Sequence, residues 1–97
     1  MATELEAARI LVYRAAMLID RLRTEPELRF SKESAMAKMY ASEVAVRVVD
    51  RALKLLGGYG YMTEYPLERM YRDVRITPIY EGTNQIQRLV IAREAMR

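Results

Sequence analysis

The sequence has no cysteine, no histidine and no tryptophan. Without cysteine there is no disulfide framework, thiol nucleophile or thiolate metal site. Without histidine there is no imidazole base, and so no catalytic triad built on one. Whatever proton chemistry the chain performs falls to carboxylates, lysines and tyrosines. A cysteine-free chain fits a reducing compartment, and the expectation is cytoplasmic. Only four glycines, three prolines and one phenylalanine occur, so turns are few and identifiable. No apolar run approaches the ~18 residues of a membrane span.

What is present is ordinary for a globular chain: 52% hydrophobic and 30% charged residues over 97 positions. That length gives one domain at most, and it is short for a protein that must hold a large cofactor alone. The net charge of +3 permits an anionic ligand. The basic residues are interleaved with acidic ones, however, which argues against nucleic-acid binding. No repeat or low-complexity segment is visible. The first helical pattern starts almost at Met1, which suggests a cut inside a longer protein.

Residues 3 to 23 read as one helix, with Leu5, Ala8, Val12, Ala15, Ile19 and Leu22 spaced on a single stripe. Pro26 breaks it. Ser31 is the expected N-cap of a second helix, with Glu33 in its first turn. Ala35, Met39, Ser42, Val46, Val49, Leu53 and Leu56 form one stripe of that helix. Met36, Tyr40, Ala45, Val48, Ala52 and Leu55 form another beside it, so it should be touched on two sides. Gly57 and Gly58 should end it through a left-handed cap. A glycine-punctuated loop follows, then a short helix near Leu67–Asp73 begun by Pro66. Arg72 and Asp73 read as a structural ion pair or capping set rather than as ligand contacts. Thr83 is the expected N-cap of a last helix, with Ile86, Leu89, Val90 and the Arg93 stem inside.

The fold class is therefore all-α: an up-down helical bundle that is one helix short of a four-helix bundle. Met36 and Met39 belong to its core; Met17, Met62, Met70 and Met96 are not assignable. An apolar strip should remain uncovered, for missing chain or another subunit to fill.

One acidic residue stands apart. Glu81 lies between Tyr80 and Gly82 in "PIYEGTNQIQRLVIAREAMR", in the least polar company on the chain. An acid just before a helix is usually a solvated dipole partner. Here few local charges compete for it. Gly82 would let a ligand approach the backbone. The helix dipole at Thr83 would favour its anion, opposing any desolvation.

Two stretches, "ALKLLGGYGYMTEYPLERMYRD" and "IYEGTNQIQRLVIAR", resemble the C-terminal signatures of the acyl-CoA dehydrogenases. "ELEAARILVYRAAMLID" is similar to the long helix before them, so the resemblance covers the whole chain. It implies the C-terminal domain of a three-part FAD enzyme, without its first bundle helix and without the N-terminal and middle domains. Such enzymes oxidise acyl-CoA thioesters to 2-enoyl-CoA and pass electrons to an electron-transferring flavoprotein. They assemble as homo-oligomers, dimers or tetramers.

By that resemblance Glu81 is the base that takes the α-proton, and its own N–H is a donor to the thioester oxygen. A glutamate here implies the short-chain, medium-chain, 2-methyl-branched or glutaryl-type group. Thr83 and Gln85 match flavin-contacting positions, though N-cap and exposed helix surface also explain them. Gly57 and Gly58 match a segment that contacts the adenine side of flavin from a neighbouring subunit; a helix stop and turn explain them too. Lys54 stands where many members have glutamine; it could meet pyrophosphate or be a solvated lysine. Tyr80 could line the acyl pocket or merely pack, Gly82 admits the substrate closely, and Asn84 falls at a position that varies between relatives. The isolated chain is expected to be inactive. The competing reading is a helical assembly module that kept the bundle and lost the chemistry, and a weaker one is an oxidase on the same bundle.

Overall fold

A computed structural model describes all residues, 1–97. Its helices are α1 (Ala2–Arg21), α2 (Ser31–Leu56), α3 (Leu67–Val74) and α4 (Asn84–Ala95), with a 3₁₀ turn over Gly57–Tyr61. There are no strands. The molecule extends 52 × 24 × 20 Å because α2 is a spine that every other element touches. α1 meets neither α3 nor α4. No helix is long and apolar enough to cross a membrane.

Ion pairs fix the directions. Glu4 accepts from Arg47 (2.7 Å) and Arg51 (2.8 Å), and Arg14 pairs with Glu33 at 3.8 Å, so α1 runs antiparallel to α2. Asn84 lies beside Ser42, and Arg88 pairs with Glu43 at 2.7 Å. Glu94 and Arg97 reach the neighbourhood of Arg29 and Lys32, so α4 runs back toward the start of α2.

The helices pack on α2 through small side chains. Ala8, Ala15, Ala35 and Ala37 are buried, and Val44 is the one large side chain fully enclosed, at 1% exposure. Alanine costs no side-chain entropy in a helix and lets two rods approach closely. Half of the stripe expected for α1 faces elsewhere: Leu5, Val12 and Ile19 are exposed, while Leu11 and Leu18 turn toward α2. A helix with a single neighbour buries only one narrow row. The expected strip therefore lies bare, forming a groove of about 400 Å³ lined by Leu5, Val12, Val44, Val48 and Val49. Ile10, Tyr13 and Met17 leave the next face of α1 apolar as well.

Several local expectations are corrected. Ser31 is the first helical residue rather than the cap; Phe30 occupies the cap position with no side-chain hydrogen bond. Gly57 ends α2 as expected, but at φ 62°, ψ −136°, outside the left-handed helical cap region. Gly60 then packs so close that a Cβ would lie 2.6 Å from the Leu53 carbonyl, and this winds the loop into the 3₁₀ turn. Arg72 bonds Glu68 at 3.0 Å and Arg69 pairs with Asp73 at 3.5 Å, in place of an Arg72–Asp73 pair. Neighbouring helix positions point apart, whereas positions four apart share a face. Met36 and Met39 are half-buried, and Met17, Met62, Met70 and Met96 are exposed.

The hydrogen bond from Arg47, followed by the charges of Arg47 and Arg51, holds the Glu4 carboxyl below its ordinary 4.5. A carboxyl depressed in the folded state adds stability above its unfolded value and loses it as pH falls through the folded value. Glu4→Gln should therefore lower the thermal midpoint at neutral pH. Below about pH 4 the difference from wild type should shrink, as thermal unfolding across a pH series would reveal.

Candidate active site on the loop before the last helix

The segment from the end of α3 to α4 is a chain of tight turns. Thr77 N–H and Oγ1 both donate to the Val74 carbonyl (3.0 and 2.7 Å), and Ile79 and Tyr80 N–H donate to the Ile76 carbonyl (2.9 and 3.1 Å). Glu81 follows with φ 54°, the one non-glycine residue with positive φ, and Gly82 continues at φ 85°. Left-handed backbone at a glutamate costs about 1–3 kcal/mol and persists only where neighbours enforce it. Such strain is concentrated at functional sites.

The neighbours are identifiable. Asn84 N–H donates to the Pro78 carbonyl at 2.9 Å and closes the loop. The Asn84 side chain, 3% exposed, donates from Nδ2 to Ser42 Oγ (2.9 Å) and to the Met39 carbonyl (3.3 Å). Lys38 Nζ reaches from α2 and donates to Asn84 Oδ1 (2.8 Å) and to the Gly82 carbonyl (2.8 Å). From α4, Gln87 Nε2 donates to the Glu81 and Gly82 carbonyls (3.2 and 3.4 Å). Thr83 Oγ1 accepts from Ile86 N–H at 3.3 Å, which makes it the N-cap of α4 as expected.

What these contacts leave free is equally specific. The Glu81 carboxylate is exposed and has no ion-pair or hydrogen-bond partner in the chain. The N–H groups of Glu81, Gly82, Thr83 and Gln85 donate to nothing within the chain. A loose carboxylate therefore stands beside a run of unused donors at a helix N-terminus. That combination can hold an oxyanion and take a proton from an adjacent carbon. Exposed Ile79, Tyr80 and Ile86 supply apolar surface near it in sequence.

The candidate residues fall into two groups. Tyr80, Glu81, Gly82, Thr83 and Gln85 share the loop and the start of α4. Lys54, Gly57 and Gly58 sit at the far end of α2, which rises about 24 Å between Lys38 and Lys54. Lys54 is 74% exposed and pairs with Asp50 at 3.3 Å. Gly57 and Gly58 are exposed, with no atom within 4 Å of where a Cβ would stand. The inner side of α4 is also revised: Ile86 and Leu89 point outward, while Asn84, Gln87, Val90 and Ile91 turn inward. Lys38, Ser42 and Gln87 had no assigned site role, and Asn84 only a weak one. A signal for the first two existed, since Ser42 interrupts an apolar stripe and Lys38 lies one turn before it on the same face.

The pattern of the family "Acyl-CoA dehydrogenase, C-terminal domain" matches residues 1–96. The chain belongs to the acyl-CoA dehydrogenase family. It is 57% identical to the mitochondrial short-chain specific acyl-CoA dehydrogenase of Rattus norvegicus over 97 residues, all of this chain and 22% of that one. It superposes with TM-score 0.88 and 44% identity on the butyryl-CoA dehydrogenase of Megasphaera elsdenii, covering 100% of this chain and 24% of that one. A chain in the structure of the electron transferring flavoprotein of Acidaminococcus fermentans, a study of flavin-based electron bifurcation, matches at TM-score 0.89 and 50% identity, again over 100% and 24%. The chain thus spans under a quarter of the length of these acyl-CoA dehydrogenase relatives. The all-helical fold expected from the sequence is the one these family members share.

Two substitutions test the loop geometry. Asn84→Ala removes one hydrogen bond each from Ser42 and Lys38 and empties a buried polar position; it should cost about 1–3 kcal/mol, read as a lower thermal midpoint. Gly82→Ala places a Cβ 2.6 Å from Gln87 Nε2 on a backbone at φ 85°. It should cost about 1–2 kcal/mol, and Gln87→Ala added to it should relieve the steric part only, as a double-mutant cycle would separate.

Proposed function

We propose that this chain is the C-terminal, substrate-facing part of an FAD-dependent acyl-CoA dehydrogenase, with Glu81 as the base that removes the α-proton of an acyl-CoA thioester. The observation that carries the reading is the unpaired Glu81 carboxylate, held on left-handed backbone beside its own unused N–H. The α-carbon of a thioester is a weak acid. It needs a carboxylate within reach and a donor where charge accumulates on the carbonyl oxygen. Glu81 can supply both, the first from its side chain and the second from its backbone. Enclosure by the rest of the protein would exclude water and raise the basicity of the carboxylate.

The residues present suit a flavin dinucleotide on two counts. Thr83 and Gln85 flank the base with polar groups, and the Gly57–Gly58 backbone at the other end of α2 is open to close approach. Lys54, one turn before that open backbone, offers an exposed ammonium that would have to leave Asp50 to meet pyrophosphate. When bound, FAD accepts the β-hydrogen as hydride, so the product is the 2-enoyl-CoA. The separation of the two groups along α2 favours contributions to two different flavins, one of them held with a neighbouring subunit. The bare groove on α1 and α2 favours a homo-oligomer, dimer or tetramer, completed by chain outside these residues. Likeness to the rat enzyme and to butyryl-CoA dehydrogenase favours short-chain thioesters. Likeness to a chain in the A. fermentans structure favours an electron-transferring flavoprotein as acceptor. A non-catalytic assembly module would keep the apolar faces but has no use for strained backbone under an unpaired carboxylate.

In the intact enzyme Glu81→Gln should lower turnover with butyryl-CoA about 10²–10⁴-fold while acyl-CoA binding persists; near wild-type turnover would overturn the reading. The 97-residue chain alone should be colourless and inactive. A yellow sample of this length that reduced a dye with butyryl-CoA would contradict that. Sedimentation of the intact enzyme should give a dimer or tetramer rather than a monomer.

A further inference from the structure

The geometry points to Lys38 as the positioning residue for the Glu81 base, acting through the Gly82 carbonyl and the buried Asn84 amide. The inference rests on the reading of Glu81 as the base. Lys38 itself is far along the chain, in the first half of α2, and touches no reacting atom in this arrangement.

Glu81 and Gly82 are consecutive residues at positive φ, and local sequence preference alone would not keep a glutamate there. The direction of the Glu81 Cα–Cβ bond follows from how the peptide planes after it are held. The first of these carries the Glu81 carbonyl, which accepts from Gln87, and the second carries the Gly82 carbonyl. Lys38 Nζ donates to it at 2.8 Å, and the same ammonium donates to Asn84 Oδ1 at 2.8 Å. Asn84 is anchored in turn on the Met39 carbonyl, next to Lys38, and on Ser42 Oγ and Glu43 Oε1, about one turn further along the same helix. The loop is thus clamped to a rigid spine at two successive points by one charge. Hydrogen bonds with an ionised donor are roughly twice as strong as neutral ones. Gln87 adds longer neutral bonds at 3.2 and 3.4 Å.

The alternative explanations of Lys38 are weaker. It makes no ion pair with any carboxylate of the chain, whereas ten other cationic side chains on the helices do so with partners on the same or a neighbouring helix. Its ammonium is spent on a carbonyl and an amide oxygen of the catalytic loop. A lysine needed only for solubility would reach for solvent, and one needed only for helix pairing would reach for an acid. Misplacing a base by about 1 Å costs on the order of 10²-fold in rate, so a clamp of this kind acts on turnover without touching substrate.

The test uses the intact flavoenzyme with Lys38→Met, which keeps the stem and deletes the donors, and Lys38→Arg, which keeps donors on a longer side chain. Lys38→Met should lower kcat about 10²-fold with KM for butyryl-CoA within about threefold. The α-deuterium isotope effect on kcat should rise as proton removal becomes limiting. In the flavin-free protein, hydrogen exchange at the Asn84, Ile86 and Gln87 amides should quicken, since their acceptors lie in or beside the clamped loop. Lys38→Arg should recover a measurable part of the rate. Unchanged exchange and unchanged kcat in Lys38→Met would overturn the proposal. So would a rate loss that only follows lost flavin or lost thermal stability, with the isotope effect unmoved. Should Lys38→Met fail to fold, the kcat and isotope effect of Lys38→Arg decide, because an intact clamp predicts values between wild type and total loss. Glu81→Gln is run alongside. If it keeps full turnover, the base assignment fails, and the exchange data still judge the clamp; if it is inactive while Lys38→Met behaves as wild type, the clamp alone fails.

Discussion

The buried amide of Asn84 is the interaction on which the remainder of the site depends. It is the first residue of α4, so its position sets where that helix begins. Its donors go to Ser42 and the Met39 carbonyl on α2, and its acceptor oxygen receives Lys38. Every buried side-chain polar atom in the chain has a partner, and this network accounts for the deepest of them. Neutral amides are good at this because they donate and accept at once. An aspartate would lose the donors and a leucine would lose both. The loop carrying Glu81 is stretched between the end of α3 and this anchor, which is why it can hold a conformation that the sequence alone would resist.

The rest of the packing is thin by comparison. Eight of the 97 residues are buried, most of them alanine or other small residues, so this chain cannot assemble the core of an ordinary domain of its length. The spine arrangement explains this. α2 meets neighbours on several sides, but α1, α3 and α4 do not meet one another around it, and each keeps an outer apolar face. A four-helix bundle closes when each helix has two partners; here α1 and α4 have one.

How much of this was legible depended on which physical signal carried it. Helix positions came through well, because proline, glycine and apolar period are local: the start and end of α1 and α3 and the end of α2 fall within two residues of expectation. The Thr83 cap was legible for the same reason. Facing was less so. The stripe from Leu5 to Leu22 is a true apolar row, but which of two adjacent rows meets α2 depends on a partner that sequence does not display. The ion pair at Arg72 was misread because adjacency in sequence is not adjacency on a helix. Glu81 was recognisable from its company and from the signature around it. The Lys38–Asn84–Ser42 clamp was not, since it joins residues more than forty positions apart and uses side chains that individually look like solvent groups.

α1 borders only α2, and this gives the chain a division of labour. A change on the outer side of α1 reaches the Glu81 loop only through the long central rod, whereas a change in the α2–α4 seam reaches it directly through Asn84 and Lys38. The two ends of this short polypeptide are thus mechanically linked along one helix alone.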